Sequence, residues 1–80
     1  MLNAQADVSR LVRELRDRIG LTQEKFAAKL GVTFPTINRW ENGRAKPSPL
    51  AIQRIEDVLR HLGKDGADLL KIYFDSGAQG

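Results

Sequence analysis

The stretch that decides the fold is residues 21–43, which read LTQEKFAAKLGVTFPTINRWENG. Thr22 and Thr33 are each followed by apolar residues at helical spacing, and a threonine hydroxyl accepts hydrogen bonds from free amides in the first turn of a helix. Gly31 separates the two segments and supplies the positive φ that a reversal of direction requires. The pattern predicts two short helices, one ending near Leu30 and one over residues 33–42, joined by a tight turn.

The second of these helices has two distinct faces. Ile37 and Trp40 share one side, which predicts that both pack inward and that the indole belongs to the core. A polar, partly basic edge falls on the other side and comprises Thr36, Asn38, Arg39 and Asn42. Phe34, at the exposed start of the helix, is equally consistent with contacting a ligand and with covering a neighbouring helix.

Helical periodicity continues on both sides of this pair and predicts an all-α fold of four to five helices. A first helix runs from Asp7 to a glycine at position 20, and a fourth begins at Ser48 and Pro49, with Leu50 included in its apolar face. A break at residues 63–66 precedes a shorter helix from about residue 67 to 74. The predicted organisation is a flexible N-terminus (1–6), a helix-turn-helix domain (7–63), a C-terminal helix (64–75) and a flexible tail (76–80).

The last predicted helix carries more apolar residues than one packing face requires. These residues are Leu69, Leu70, Ile72, Tyr73 and Phe74. Such a surplus suits either the seam of a homodimer or a cap on the core of the same chain.

Charge and composition restrict the class of function. The chain has 80 residues and a net charge of +3, and residues 22–48 hold five Lys or Arg against two Asp or Glu, which equals the whole excess. There is no cysteine and a single histidine, His61, so we expect no disulfide, no metal site and no cofactor. Catalysis is not expected, because no Ser–His–acid arrangement or phosphate-binding glycine loop is present. Without a long apolar stretch or a signal sequence, we expect a soluble cytoplasmic protein with no membrane partner.

Residues 21–32 (LTQEKFAAKLGV), Ile37, residues 39–43 (RWENG) and residues 46–48 (KPS) together resemble the Cro/phage-repressor (XRE-type) family of helix-turn-helix proteins. The resemblance spans about residues 11–62. It implies a compact repressor-like domain whose helix 33–42 lies in the major groove of a double-stranded DNA operator, while the preceding helix crosses the backbone.

The resemblance also implies roles for individual residues. The positions that match base-reading sites are Phe34, Pro35, Asn38 and Arg39. The positions expected to contact phosphates are Gln23, Thr33, Thr36, Asn42, Arg44 and Lys46. A structural ion pair is implied between Arg16 and Glu41. The remaining helix arginines are expected to be solvated surface: Arg10, Arg13, Arg18, Arg54 and Arg60.

These features predict a sequence-specific DNA-binding transcriptional regulator that acts as a two-fold homodimer. The alternative is a protein-interaction module or antitoxin subunit that uses the same fold to dock a toxin, another partner protein or a larger chain of which it is a part.

Overall fold

The computed structural model describes residue 2 and residues 7–74, and these form five α-helices with no strand among them. The helices are α1 (Val8–Ile19), α2 (Gln23–Leu30), α3 (Phe34–Glu41), α4 (Pro49–His61) and α5 (Lys64–Phe74). The predicted all-α class is confirmed. The segments expected to be flexible, 1–6 and 76–80, lie outside the described residues except for Leu2, which packs partly buried against the core.

The helix boundaries follow from capping side chains. Thr22 Oγ1 accepts from the amide of Lys25 at 3.1 Å, and Thr33 Oγ1 accepts from the amide of Thr36 at 3.3 Å. Ser48 caps α4 in the same way, with a proline following it in the first turn. The predicted starts of α2, α3 and α4 are therefore confirmed.

The core gathers one apolar face from each helix. Its fully buried side chains include Leu11 and Leu15 of α1, Phe26 of α2, Ile37 of α3 and Ile55 of α4. The third helix packs against both α1 and α2, while α4 packs mainly against α5. As a result α3 is held from two sides and its remaining surface faces outward.

Three details differ from the sequence prediction. The fifth helix begins at Lys64 rather than near residue 67, because the turn is completed by Gly63 alone, at φ 59°. Gly66, expected in a break, is buried inside α5. Leu50, expected on the apolar face of α4, is 59% exposed, because the second position of the helix lies beyond the core.

The fifth helix caps the core of its own chain. Leu69, Tyr73 and Phe74 are buried, and Leu70 is partly buried against the same cluster. Of the apolar residues considered for a dimer seam, Ile72 alone is largely exposed, at 59%. The capping alternative therefore accounts for most of this helix's apolar surface.

Gly66→Ala is expected to destabilise the protein by about 1 to 3 kcal/mol, because the added Cβ would collide with the carbonyl oxygen of Leu59 in α4. Helix propensity alone predicts the opposite sign, a gain of about 1 kcal/mol. Urea unfolding measures the change in the free energy of unfolding. Ala67→Gly, at the exposed neighbouring position, is the control that measures the effect of helix propensity alone. A more stable Gly66→Ala variant would contradict the close packing of α4 on α5.

A bidentate ion pair joins α1 to α5. The Arg18 guanidinium donates to the two carboxylate oxygens of Asp68 at 2.6 and 2.8 Å, and to the carbonyl oxygen of Asp65 at 2.9 Å. It also donates to Glu14 at 3.0 Å. The hydrogen bonds from Arg18 lower the pKa of Asp68 to about 2. The sequence predicts that Arg18 is solvated surface. In the structure it also makes a contact that joins two helices.

Acid is expected to remove the stabilisation from the Arg18–Asp68 pair. The pKa of Asp68 is lowered from 3.8 to about 2 on folding, so the contribution is complete above about pH 4 and is lost as pH falls through about 2. Thermal unfolding followed by circular dichroism, on the protein and its Asp68→Asn variant, measures it. The difference in melting temperature should shrink across this window, whereas a difference that stays constant would contradict the pair's role.

Candidate nucleic-acid interface

Helix α3 is fixed by its inward face and open on the other. Ile37 is fully buried and Trp40 is 4% exposed, so the predicted packing of the indole in the core is confirmed. Asn38 is half-buried and Arg39 is exposed on the outward edge. Because Ile37 and Trp40 are both packed into the core, the helix has little freedom to rotate about its axis.

A buried ion pair ties the end of α3 to α1. Arg16 Nε donates to Glu41 Oε2 at 2.7 Å, and Arg16 Nη2 donates to Glu41 Oε1 at 3.1 Å. The side chain of Glu41 is 4% exposed and that of Arg16 is 20% exposed. The structure therefore brings together the two residues for which an ion pair was expected.

The carboxylate of Glu41 is charged despite its burial. Burial by itself raises the pKa of Glu41, but hydrogen bonds from Arg16 and Gln23 and the charges of Arg16 and Arg13 outweigh this effect. The net result is a pKa below the ordinary value. Arg13 also donates to the backbone carbonyl of Glu41 at 2.8 Å, which places positive charge at the C-terminal end of α3.

Three amide side chains continue from Glu41 toward the outward edge. Gln23 Nε2 donates to Glu41 Oε1 at 3.0 Å, and Gln23 Oε1 accepts from Asn38 Nδ2 at 3.4 Å. Asn38 Oδ1 in turn accepts from Asn42 Nδ2 at 3.0 Å. We call Glu41, Gln23, Asn38 and Asn42 the amide relay. It links three residues expected at the DNA to the structural ion pair.

The amino-terminal end of α3 presents small hydroxyls and two apolar side chains. The hydroxyls of Thr33 and Thr36 lie 2.8 Å apart at the first turn of the helix. Phe34 is 45% exposed and Pro35 is exposed. Phe34 therefore leaves part of its apolar surface open at the start of the helix.

A basic loop follows α3 and is anchored to it by the backbone. The amide of Arg44 donates to the carbonyl of Arg39 at 2.8 Å, and Gly43 takes the left-handed conformation at φ 70°. The side chains of Arg39, Arg44 and Lys46 are exposed and make no hydrogen bond or ion pair with the part of the chain that the structure describes. Three cations with free donors thus lie along one end of α3.

Two further arginines have structural contacts that their surface pattern did not reveal. Arg13 bonds to Glu41, as described above, and Arg54 Nη1 donates to the carbonyl of Leu30 at 2.8 Å, where α2 ends. Both residues are exposed, as expected, so each contact is made at the surface and does not bury the residue. The available signal was their charge, since cations satisfy free carbonyls at helix C-termini, but sequence alone does not show which helix end lies nearby.

Away from α3, an open groove of about 580 Å³ lies between the end of α1 and the facing sides of α2 and α4. Its lining includes Ile19, Leu30 and Val58, with Lys29 and Asp57 also present. Within residues 2 and 7–74, no group of three metal-ligating side chains lies close enough to hold an ion. No helix in this part of the chain is long and apolar enough to cross a membrane.

Two short helices joined by a glycine turn, the second with a buried apolar face and an exposed polar edge, define a helix-turn-helix unit. The helix-turn-helix family profile matches residues 12–63. The chain belongs to this family, and the resemblance to its Cro/phage-repressor type is confirmed.

Similar proteins carry the unit in different contexts. The chain is 41% identical over 69 residues to an uncharacterized HTH-type transcriptional regulator of Methanothermobacter thermautotrophicus, covering 86% of this chain and 96% of that protein. It is 33% identical over 63 residues to a putative multi-protein-binding factor 1 of Yarrowia lipolytica, covering 76% and 41%. It is 38% identical over 56 residues to the type II methyltransferase M1.ScrFI of Lactococcus lactis subsp. cremoris, covering 66% and 14%. No solved structure matches the chain.

Proposed function

We propose that the protein is a sequence-specific DNA-binding transcriptional regulator, with α3 in the major groove of an operator. The observation that carries the proposal is the exposed edge of α3, where Asn38 and Arg39 point away from the buried Ile37 and Trp40 and lie next to the basic loop. The match to an HTH-type transcriptional regulator over 86% of this chain supports the same function. We propose residues 7–63 as the DNA-binding unit and α5 as its cap.

In this proposal four residues of α3 read bases. Arg39, with its free guanidinium, pairs with guanine, and Asn38 pairs with adenine. Phe34 and Pro35 have no hydrogen-bonding side-chain atoms, so they contact thymine methyl groups. Readout of base edges through hydrogen bonds therefore depends on two residues, Asn38 and Arg39.

The surrounding polar residues hold the backbone of the duplex. They are Gln23, Thr33, Thr36, Asn42, Arg44 and Lys46. Contacts to phosphates set the register of the helix in the groove without reading sequence. Main-chain amides at the start of α2 add donors for phosphate oxygens. We propose binding as the whole activity, in keeping with a family of regulators that is generally non-enzymatic.

We further propose that two copies bind together, so that two α3 helices enter successive major grooves about 34 Å apart. Light scattering on the protein with its selected duplex, at concentrations where binding is complete, is the measurement. The expected stoichiometry is two chains per duplex. One chain per duplex at saturation would overturn the dimer and leave the binding proposal intact.

Protein docking is a second candidate function, favoured by the groove between α1, α2 and α4, which leaves an apolar surface open on a side of the domain other than the α3 edge. The name of the relative from Yarrowia lipolytica, a multi-protein-binding factor, is consistent with it. Binding of a toxin or another partner protein in this groove would persist after the loss of Arg39, Arg44 and Lys46, whereas binding of DNA would not.

Selection from a pool of random duplexes, followed by salt titration of the winning sequence, tests the proposed function. A defined motif with base preferences at several positions is expected. The logarithm of the binding constant should fall linearly with the logarithm of the salt concentration. Equal affinity for every duplex would contradict sequence-specific regulation.

A further inference from the structure

The amide relay has a fixed direction that is set by its charged end. A carboxylate only accepts hydrogen bonds, so the Gln23 side chain must turn its NH₂ group toward Glu41. This leaves Gln23 Oε1 for Asn38, which must then turn its own NH₂ group toward Gln23. The carbonyl oxygen of Asn38 is left facing Asn42.

The direction matters because an amide can turn over and exchange its donor and acceptor. Asparagine reads adenine by donating to N7 while accepting from the N6 amino group, so a reversed amide cannot make both bonds from the same place. In the relay Gln23 and Asn38 each have one donor and one acceptor committed, and each keeps a hydrogen and a lone pair for a base or phosphate.

We infer that Glu41 is a positioning residue for DNA readout: its carboxylate, acting through Gln23, fixes which way the Asn38 amide faces the base. This inference rests on the proposed function and deepens it. The side chain of Glu41 is 4% exposed, so its effect on readout passes through the side chain of Gln23.

The ion pair with Arg16 does not account for this arrangement. Arg16 already donates to both oxygens of the carboxylate, at 2.7 and 3.1 Å, and would do so without Gln23. The additional bond from Gln23 at 3.0 Å connects α2 to the outward edge of α3. A glutamate with a purely structural role would affect stability but no particular base preference.

The experiment compares base preferences at each position of the selected duplex. Asn38→Ala first identifies the base pair that Asn38 reads, and Arg39→Ala identifies a second, independent pair. Glu41→Gln and Gln23→Met are then measured against single-base substitutions of the same duplex. Gln23→Met keeps the fold because the side chain is only half-buried, and Leu69→Ala in α5 controls for lost stability without touching the relay.

We expect Glu41→Gln and Gln23→Met to reduce discrimination at the Asn38 base pair by about 5-fold or more, leaving the Arg39 base pair unchanged. Leu69→Ala should preserve the preference at both pairs. The inference would be overturned by unchanged discrimination at the Asn38 pair in Gln23→Met, or by an equal loss of discrimination at the Asn38 and Arg39 pairs, and the proposed function would still stand. A weaker affinity that is equal for every duplex reflects only the phosphate contact of Gln23. A parent protein that selects no sequence would overturn both.

Discussion

Arg16→Ala is expected to lower the free energy of unfolding by about 3 to 5 kcal/mol, a large effect for a single side chain. The substitution removes both Arg16 bonds to the carboxylate of Glu41, which is 4% exposed, and leaves the neutral amide of Gln23 as a donor to Oε1. It also removes a bond from Arg16 to the carbonyl of Leu21 at 3.2 Å. Urea unfolding monitored by Trp40 fluorescence and circular dichroism measures the loss.

Arg60→Ala is the matched control for this prediction. Arg60 also pairs with a glutamate, Glu56, at 2.6 Å, but its side chain is 63% exposed. Solvent screens an exposed pair, so the control should lose less than about 1 kcal/mol. Equal losses in the two variants would mean that the Arg16–Glu41 pair contributes no more than a surface contact.

The triple variant R39A/R44A/K46A is expected to lose binding to the selected duplex at moderate salt. Removing the guanine contact of Arg39 costs about 1 to 3 kcal/mol, and removing Arg44 and Lys46 lowers the salt slope by about 1 for each charge. All three side chains are exposed and make no contact that holds the fold. Fluorescence anisotropy at several salt concentrations measures affinity and slope together.

The control for the triple variant removes three cations from another part of the surface. R60A/K64A/K71A changes the net charge by the same amount, on α4 and α5 instead of α3 and its loop. General attraction to DNA falls equally in both, so only lost local contacts distinguish them. If the two triple variants bind alike, the α3 edge is not the binding surface.

The sequence was sufficient for the starts of α2, α3 and α4 because their signals are local. Thr22, Thr33 and Ser48 are caps, and Gly31 takes a positive φ, whatever the rest of the chain does. The inward direction of Trp40 follows from spacing in the same way. The family pattern added the Arg16–Glu41 pair, whose partners lie 25 positions apart.

The features that could not be predicted from the sequence depend on distances between helices. A glycine in a helix is usually unfavourable, so the sequence predicts a break at Gly66, but in the structure Gly66 permits the close approach of Leu59. The contacts of Arg13 and Arg54 depend on which helix end lies beside each guanidinium. The amide relay likewise joins α2 to α3 through side chains 15 and 18 positions apart, at distances that only packing determines.

The most direct measurement is the change in backbone amide NMR signals when the selected duplex is added to ¹⁵N-labelled protein. The largest shifts should fall at Gln23, along residues 33–39 and along residues 42–46, while α5 and the groove between α1, α2 and α4 stay unchanged. Shifts concentrated in that groove or in α5, with the α3 edge unaffected, would contradict the account.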